Sequence, residues 1–479
     1  MKGNRFLMPA LAVGVLVAVV HLLRYKFEVM VPDNVLMFGR WLFQALLFGY
    51  AWQRRDMTTW ILASMFFGLE IGIDFPVFAK GLDVFSKIFL KLIKTIIAPL
   101  LFGTLVVGIA GHSDMKQVGR MGLKALLYFE IVTTLALVIG LLAINFSRAG
   151  DGIKAPERSS IVQVQPDSLV YKLDTKGSET SLKIYQNDQQ VTYAAPPKKE
   201  TWKDLVLHIF PENISKMIFE AQVLQIVVFS ILFALALFMV GEDHKKRMLH
   251  FAESISEVMF KFTAIIMYIA PFAVGGAIAA TVANMGLDIL RNLGLMLATL
   301  YVALIVFVLL VFVPIMLFLR IDIRKFWRYV KDPAALAFAT ASSETALPLA
   351  MQRMEEFGVP RKVVSFVIPT GFTFNLDGST LYLSLASIFI AQAAGIELSI
   401  GQQILICVTL MLTSKGVAGV ARASLVILAG TCAQFGLPEW PIAIILGIDA
   451  LMDLARTMVN LVGNCLASVV IAKWEGEME

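Results

Sequence analysis

Charge is what this sequence lacks most. Its 41 basic and 36 acidic residues make up 16% of 479, where a soluble domain carries about a quarter. So few ionised side chains cannot coat a water-facing globule of this size, and 58% apolar residues exclude a disordered chain. Cysteine is almost absent. Cys407, Cys432 and Cys465 lie in apolar stretches without CxxC spacing, which excludes a disulfide scaffold and offers no metal motif. The five histidines are scattered and no two stand four residues apart, so there is no zinc-type pair. Basic residues gather in short loops without an aromatic-interleaved run, which excludes a nucleic-acid surface.

What the chain has instead is a mean hydropathy of +0.76 and apolar runs near 7–23, 34–53, 58–75, 86–110, 123–146, 216–240, 255–283 and 292–319. Runs of about twenty residues read as membrane spans. Lys2 and Arg5 before the first run resemble a signal peptide. No Ala-x-Ala-like cleavage chemistry follows Leu23, however, and a second run follows at once, so a retained helix is expected. Short loops carry Arg54 and Arg55, then Lys116, Arg120 and Lys124, then Lys245, Lys246 and Arg247, and finally Arg320, Arg324, Lys325, Arg328 and Lys331. Placing them all in the cytoplasm satisfies the positive-inside bias, leaves only Arg24 and Lys26 outside, and puts both termini in the cytoplasm of a multi-pass cell-membrane protein.

Residues 148–206 interrupt the pattern with nine basic and eight acidic residues. Alternating runs such as 161–165 and 190–193 predict a small β-rich excursion on the outer face, closed by Pro196 and Pro197. It reads either as a solvated insert or as a ligand domain. The chain accordingly divides into 1–56, an extra N-terminal helical hairpin; 57–147, first spans; 148–206, the outer insert; 207–332, middle spans; and 333–479, a transport core.

The chemistry concentrates in the last part. An apolar segment over 333–351 is interrupted by Ala341-Ser-Ser-Glu-Thr345, with arms of about eight residues each. A second, over 404–430, is interrupted across 413–424. Arms this short read as re-entrant helical hairpins, whose unwound tips persist at membrane depth only when they line a protein-enclosed cavity. Paired interruptions of this kind point to a transporter's binding site. Two loops between ordinary short helices are the other reading. Between the hairpins a span is broken by Gly371-Phe-Thr-Phe-Asn-Leu-Asp-Gly-Ser-Thr380. Its oxygen-only groups suit a hard cation such as sodium, and an unpaired Asp at that depth costs about 2.5–3.5 kcal/mol.

The last span carries Asp449, Asp453, Arg456, Thr457, Asn460 and Asn464 at spacings that form one helical stripe. Asp453 and Arg456 either neutralise one another as an i, i+3 pair, or Arg456 grips a substrate carboxylate with its fork while Asp453 receives an ammonium. No histidine lies in this polar cluster, which leaves an intramembrane hydrolase without a base and argues against an enzyme. An ion channel could use the same carboxylates; saturable, counterflow-competent uptake separates a carrier from a pore.

The ordered series of Ser-rich hairpin, Asn375-Leu-Asp-Gly-Ser379, Gly-rich hairpin and 449–460 resembles the dicarboxylate/amino acid:cation symporters, the glutamate transporter family, over about 57–475. The resemblance implies an all-α polytopic fold of eight spans plus two re-entrant hairpins, here with two extra N-terminal spans. It implies homotrimers whose transport parts slide like an elevator, import of glutamate or aspartate, and Na+ and/or H+ as coupling ions with no covalent cofactor. Carried over residue by residue, Arg456 would bind the substrate's side-chain carboxylate and Asp453 its amino group. Ser342, Ser343, Ser379, Val420, Arg422, Thr457 and Asn460 would complete the substrate site. Thr133, Gly371, Asn375, Asp377, Asp449, Asn460 and Asn464 would belong to cation sites.

Several features depart from that pattern. Asn464 stands where sodium-coupled members usually carry Asp, and Arg422 sits in a hairpin tip that is usually Pro- and Gly-rich. The stretches 128–134, 340–344 and 459–464 resemble the bacterial C4-dicarboxylate branch, which makes a C4-dicarboxylate:cation symporter the alternative. That branch lacks an Asp at the position of Asp453, so Asp453 argues for an amino-acid substrate. An acidic amino acid enters against an inside-negative potential at about 2.3 kcal/mol per 100 mV, so at least two monovalent cations must accompany it. Asp377 and Asp449 are candidates for sodium, and intramembrane Glu130 is the proton candidate.

Overall fold

The computed structural model describes residues 6–27, 31–110, 117–153, 170–176, 179–186, 189–191, 210–219, 223–414 and 423–478. Two compact units emerge: residues 1–153 with 211–479, and residues 154–210.

In the first unit the N-terminal hairpin is α1 (Leu7–Phe27) and α2 (Asp33–Arg54), followed by α3 (Met57–Asp74), α4 (Pro76–Gly81), α5 (Asp83–Ala110) and α6 (Gln117–Ser147). Side chains that satisfy orphan amides fix several helix starts: Asp56 accepts from the Thr59 amide at 2.8 Å and so opens α3. After α7 (Ile214–Phe219) and α8 (Val223–Leu237) come α9 (Glu242–Met267) and α10 (Ala270–Met285). These last two meet at a 49° bend beside Pro271, which lacks the amide that would carry α9 straight on. α11 (Ile289–Phe307) passes through a π-helical turn over Val308–Phe312 into α12 (Val313–Phe318).

The first hairpin is α13 (Ile323–Thr340) and α14 (Ser343–Phe357). Its arms of 18 and 15 residues are longer than the eight expected from sequence. α13 starts at the Asp322 cap and encloses Pro333; because Arg324, Lys325, Arg328 and Lys331 lie within its first half, a search for apolar runs overlooks that half. The broken span is α15 (Arg361–Phe374) and α16 (Asp377–Ala393), with only Asn375 and Leu376 outside helix. The second hairpin is α17 (Ile400–Thr413) and α18 (Ala423–Gln434). A Ser399–Gln402 capping box opens α17.

α19 (Trp440–Trp474) runs for 35 residues and is buried along most of its length. It packs against α3, α6, α10, α11 and all four helices of the first hairpin and broken span, so its side chains are presented to the centre of the unit. Among the described residues four helical stretches are long and apolar enough to cross a membrane, or five with the bent α9–α10 pair. α19 is not among them.

The second unit carries β1 (Val170–Lys176), β2 (Glu179–Gln186) and β3 (Gln189–Val191) in one antiparallel sheet of order β1-β2-β3. Val170 faces Tyr185, and Ile184 faces Val191. The run 161–165 lies outside the described residues, as do positions 192–193 of the second alternating run.

Candidate functional site

Helical periodicity puts Asp449, Asp453, Arg456, Thr457, Asn460 and Asn464 on one face of α19, and all six are buried. Arg456 is 0% exposed. A guanidinium at that depth persists only with partners. One of its Nη atoms donates to Asp449 at 3.0 Å and to Asp453 at 2.9 Å, and its Cζ lies 3.9 Å from the centroid of the Tyr382 ring on α16. Its Nε and other Nη atoms have no hydrogen-bond partner among the described residues. The Arg456–Asp453 pair expected as one alternative is therefore present, and Asp449 joins it. Two carboxylates against one guanidinium give the trio a formal charge of −1.

The broken span meets this face of α19. Asn375 leaves helical geometry at φ −128° and ψ 69° and turns its amide inward. Its Nδ2 donates to Asp377 Oδ2 and to Asn464 Oδ1, each at 3.1 Å, while its own Oδ1 is buried without a hydrogen-bond partner among the described residues. Two close approaches make this cluster possible. A side chain at Gly371 would strike the Asn464 amide, and one at Gly463 would strike Asp377 and Asn375. The donor set is thus amide and carboxylate oxygen, the chemistry a hard monovalent cation takes. Among the described residues no group of three or more His, Cys, Asp or Glu side chains suits a metal ion, so a cation held here needs the asparagines.

Asn460 joins the two halves. Its Oδ1 accepts from the Gly378 amide at 2.8 Å and the Ser379 amide at 3.2 Å, which satisfies two orphan donors at the start of α16. Its Nδ2 donates to Ser379 Oγ at 3.0 Å. The structure therefore joins Ser379, Asn375, Asp377, Asn460, Asn464, Asp449, Asp453 and Arg456 through hydrogen bonds and close helix packing.

At the first hairpin tip Ala341 takes a left-handed φ of 48°. Ser342 then caps α14, with its Oγ 3.3 Å from the Thr345 amide. Ser343, the next residue, is buried. Thr133 is buried on α6 and donates to the Phe129 carbonyl within its own helix. Half-buried Glu130 accepts at its backbone carbonyl from Thr134. Val420 and Arg422 lie outside the described residues.

Sequence reasoning missed Tyr382. The one tyrosine of that helix, five positions beyond Asp377, was the available signal, since a buried ring with a polar tip seldom stands without a purpose. It also missed Arg40 of α2, which forms ion pairs with Glu70 at 2.6 Å and with Asp74, both on α3. Two cavities lie away from the cluster. One, of about 1030 Å3, lies against α2, α3 and α10; the other, of about 550 Å3, is lined by Asn145, Gln392 and Gln403.

The sequence model of the Sodium:dicarboxylate symporter family matches residues 57–474, which hold all of these site residues. The Proton/sodium-glutamate symport protein of Bacillus subtilis is 39% identical over 423 residues, 88% of this chain and 93% of that protein. The C4-dicarboxylate transport protein of Laribacter hongkongensis is 39% identical over 422 residues, 88% of this chain and 89% of that protein. The Proton/glutamate-aspartate symporter of Escherichia coli is 38% identical over 440 residues, 90% of this chain and 94% of that protein. With a buried polar cluster inside the matched region and relatives matched over nearly their whole length, the chain belongs to the Sodium:dicarboxylate symporter family.

Proposed function

We propose that this protein is a secondary active symporter that imports an acidic amino acid, glutamate or aspartate, with Na+ or H+. The observation that carries the reading is Arg456: a fully buried guanidinium with two nitrogens left for a carboxylate, flanked by Asp453 as the acceptor for an ammonium. The charges supply the reason for coupling. Asp449, Asp453 and Arg456 together carry −1 when ionised, Asp377 adds another, and the substrate brings a third. Such a site is tolerable in a medium of low dielectric only when cations enter with the anion. Asp377, Asn375 and Asn464 would hold one of them, with the Gly371 carbonyl one turn earlier on α15 and Thr133 contributed by α6. Glu130 is the candidate proton carrier. Because Asn464 contributes no charge, proton coupling competes with sodium at this position.

In this reading residues 333–479 form the moving core of an elevator, with the second hairpin as gate and Val420 and Arg422 at its tip. The chain works as a homotrimer with ten spans, both termini in the cytoplasm and residues 148–206 outside.

A C4-dicarboxylate is the second reading, and one contact favours it. Asp453 is already paired with Arg456 at 2.9 Å, so its charge is answered without a substrate ammonium. Proteoliposomes distinguish the two: glutamate, aspartate and succinate uptake is measured under an imposed Na+ gradient, a pH gradient, or neither. The amino-acid reading expects gradient-driven accumulation of glutamate or aspartate that succinate inhibits poorly. Succinate accumulation without amino-acid uptake overturns it in favour of the dicarboxylate. Uptake that never exceeds equilibrium under any gradient overturns symport altogether.

A further inference from the structure

The groove of about 1030 Å3 between the N-terminal hairpin and the first family helix has a floor of glycine and walls of aromatic rings. α3 and α10 touch backbone to backbone, since a methyl at Gly68 would fall on the Gly275 carbonyl. That contact leaves a hollow along the helix pair instead of a filled ridge. Phe48 and Trp52 of α2, Trp60 of α3 and Phe272 of α10 stand around it. It extends from Met57 to Ile71 along α3, about 21 Å at the helical rise, which exceeds the ~15 Å of one leaflet's hydrocarbon.

Its lining is apolar and aromatic along that length, which suits extended acyl chains. Its polar end is specific. The groove closes at Arg55, which follows α2 in the left-handed conformation at φ 58°. The neighbouring Arg54 is occupied, 3.6 Å from Asp56 and stacked over Tyr50. Arg55 enters no ion pair among the described residues and remains exposed at the mouth. Aromatic side chains at the same end, Trp52 and Trp60, are the residue type that marks the headgroup level of a bilayer.

We propose that this groove is a binding site for one anionic phospholipid, with its acyl chains along α3 and its headgroup phosphate on Arg55. The site joins the N-terminal hairpin to the family fold through a lipid, and it is independent of what the protein transports.

The test uses the full-length protein with phosphatidylglycerol and phosphatidylethanolamine of identical chains, titrated into delipidated detergent samples and read by native mass spectrometry. Phosphatidylglycerol is expected to bind the wild type preferentially. Arg55→Gln is expected to reduce that preference by about fivefold, the ~1 kcal/mol that one basic residue contributes near an anionic headgroup. A phosphatidylglycerol with a photoactivatable group at its acyl end should crosslink to peptides bearing Phe67, Ile71 or Phe272. Equal binding of the two lipids, an unchanged preference in Arg55→Gln, or crosslinks confined to other helices overturns the proposal. Trp52→Ala guards against a misfolding artefact, since that ring is exposed on the rim. It should weaken both lipids together and leave the oligomer mass unchanged. A change of oligomer mass with no change in lipid adducts assigns the face to a second copy of the chain, which also overturns the proposal.

Discussion

Asn375 donates to Asn464 Oδ1 at 3.1 Å while the same nitrogen, at the same distance, donates to Asp377. One amide therefore bridges a carboxylate and a second amide. An aspartate at position 464 would place two carboxylates around that nitrogen, and like charges at such range raise one carboxyl's proton affinity unless a cation enters. Asn464→Asp is expected to make uptake at neutral pH depend on sodium, by on the order of tenfold for each pKa unit of repulsion that the ion relieves. Uptake with and without Na+ at fixed pH measures it. A variant that transports normally and stays indifferent to sodium separates Asn464 from the cation site.

Asp453 discriminates between the two substrate readings. If it receives a substrate ammonium, Asp453→Asn removes a buried charge pair worth about 2 kcal/mol or more. Glutamate affinity should then fall by roughly thirtyfold, while succinate affinity changes by less than about threefold. If Asp453 serves only to neutralise Arg456, both substrates weaken together. Competition binding on purified protein reads the ratio directly.

Tyr382 holds the guanidinium flat. The Arg456 Cζ lies 3.9 Å from its ring centroid, and a cation–π contact in a desolvated site contributes about 2 kcal/mol. Tyr382→Phe keeps the ring and should transport with nearly unchanged affinity. Tyr382→Leu should raise the substrate KM about thirtyfold at constant expression. Equal behaviour of the two variants sinks the stacking role.

How much of this was legible depended on the kind of constraint. Polar residues stranded in apolar runs announce themselves, because each is costly at membrane depth; that is how Asn375, Asp377 and the α19 stripe stood out. Partnerships across the sequence did not. Nothing local says that Asn460 caps α16 from 82 positions away, or that Arg456 lies over Tyr382. α13 showed a second failure: its basic first half resembled a loop, so the hairpin arm looked half its real length. The Arg40 cluster was hidden for a related reason, since Arg40 falls in the run 34–53 and both Glu70 and Asp74 in the run 58–75, each long enough to absorb a charge or two.

At the C-terminus a pH effect follows from Glu475. Its carboxyl is held below its ordinary value of 4.5 by hydrogen bonds from Lys124, the larger effect, and Arg120. Lys124 approaches to 2.6 Å, as does Arg120. A depressed carboxylate contributes stability that is fully present above the unfolded value and is lost as pH falls through the lower folded one. The tie of α6 to the end of α19 should therefore hold at pH 6 and loosen only as pH falls below the ordinary value of 4.5. Thermal melts of the wild type and Glu475→Gln should differ at pH 7 and converge in acid. A difference that persists unchanged at low pH rules out the ionised carboxylate as its source.

Arg40 makes the N-terminal hairpin part of the fold, although the family match begins only at residue 57. Its guanidinium pairs with Glu70 at 2.6 Å and with Asp74, whose other oxygen accepts from Trp41 Nε1 at 2.8 Å. The three charged side chains are no more than 16% exposed. Breaking a buried pair by removing one partner leaves an uncompensated charge and costs about 3–5 kcal/mol, whereas an exposed pair costs about 0–1. Arg40→Met is expected at the upper scale, because it leaves two carboxylates on α3 facing apolar surface. The same substitution in a Glu70→Gln, Asp74→Asn background should cost far less, since no buried charge is then orphaned. Melting temperatures of the four proteins close the cycle. If Arg40→Met is equally mild in both backgrounds, the hairpin is held by apolar packing alone and the ion pairs contribute nothing measurable to its attachment.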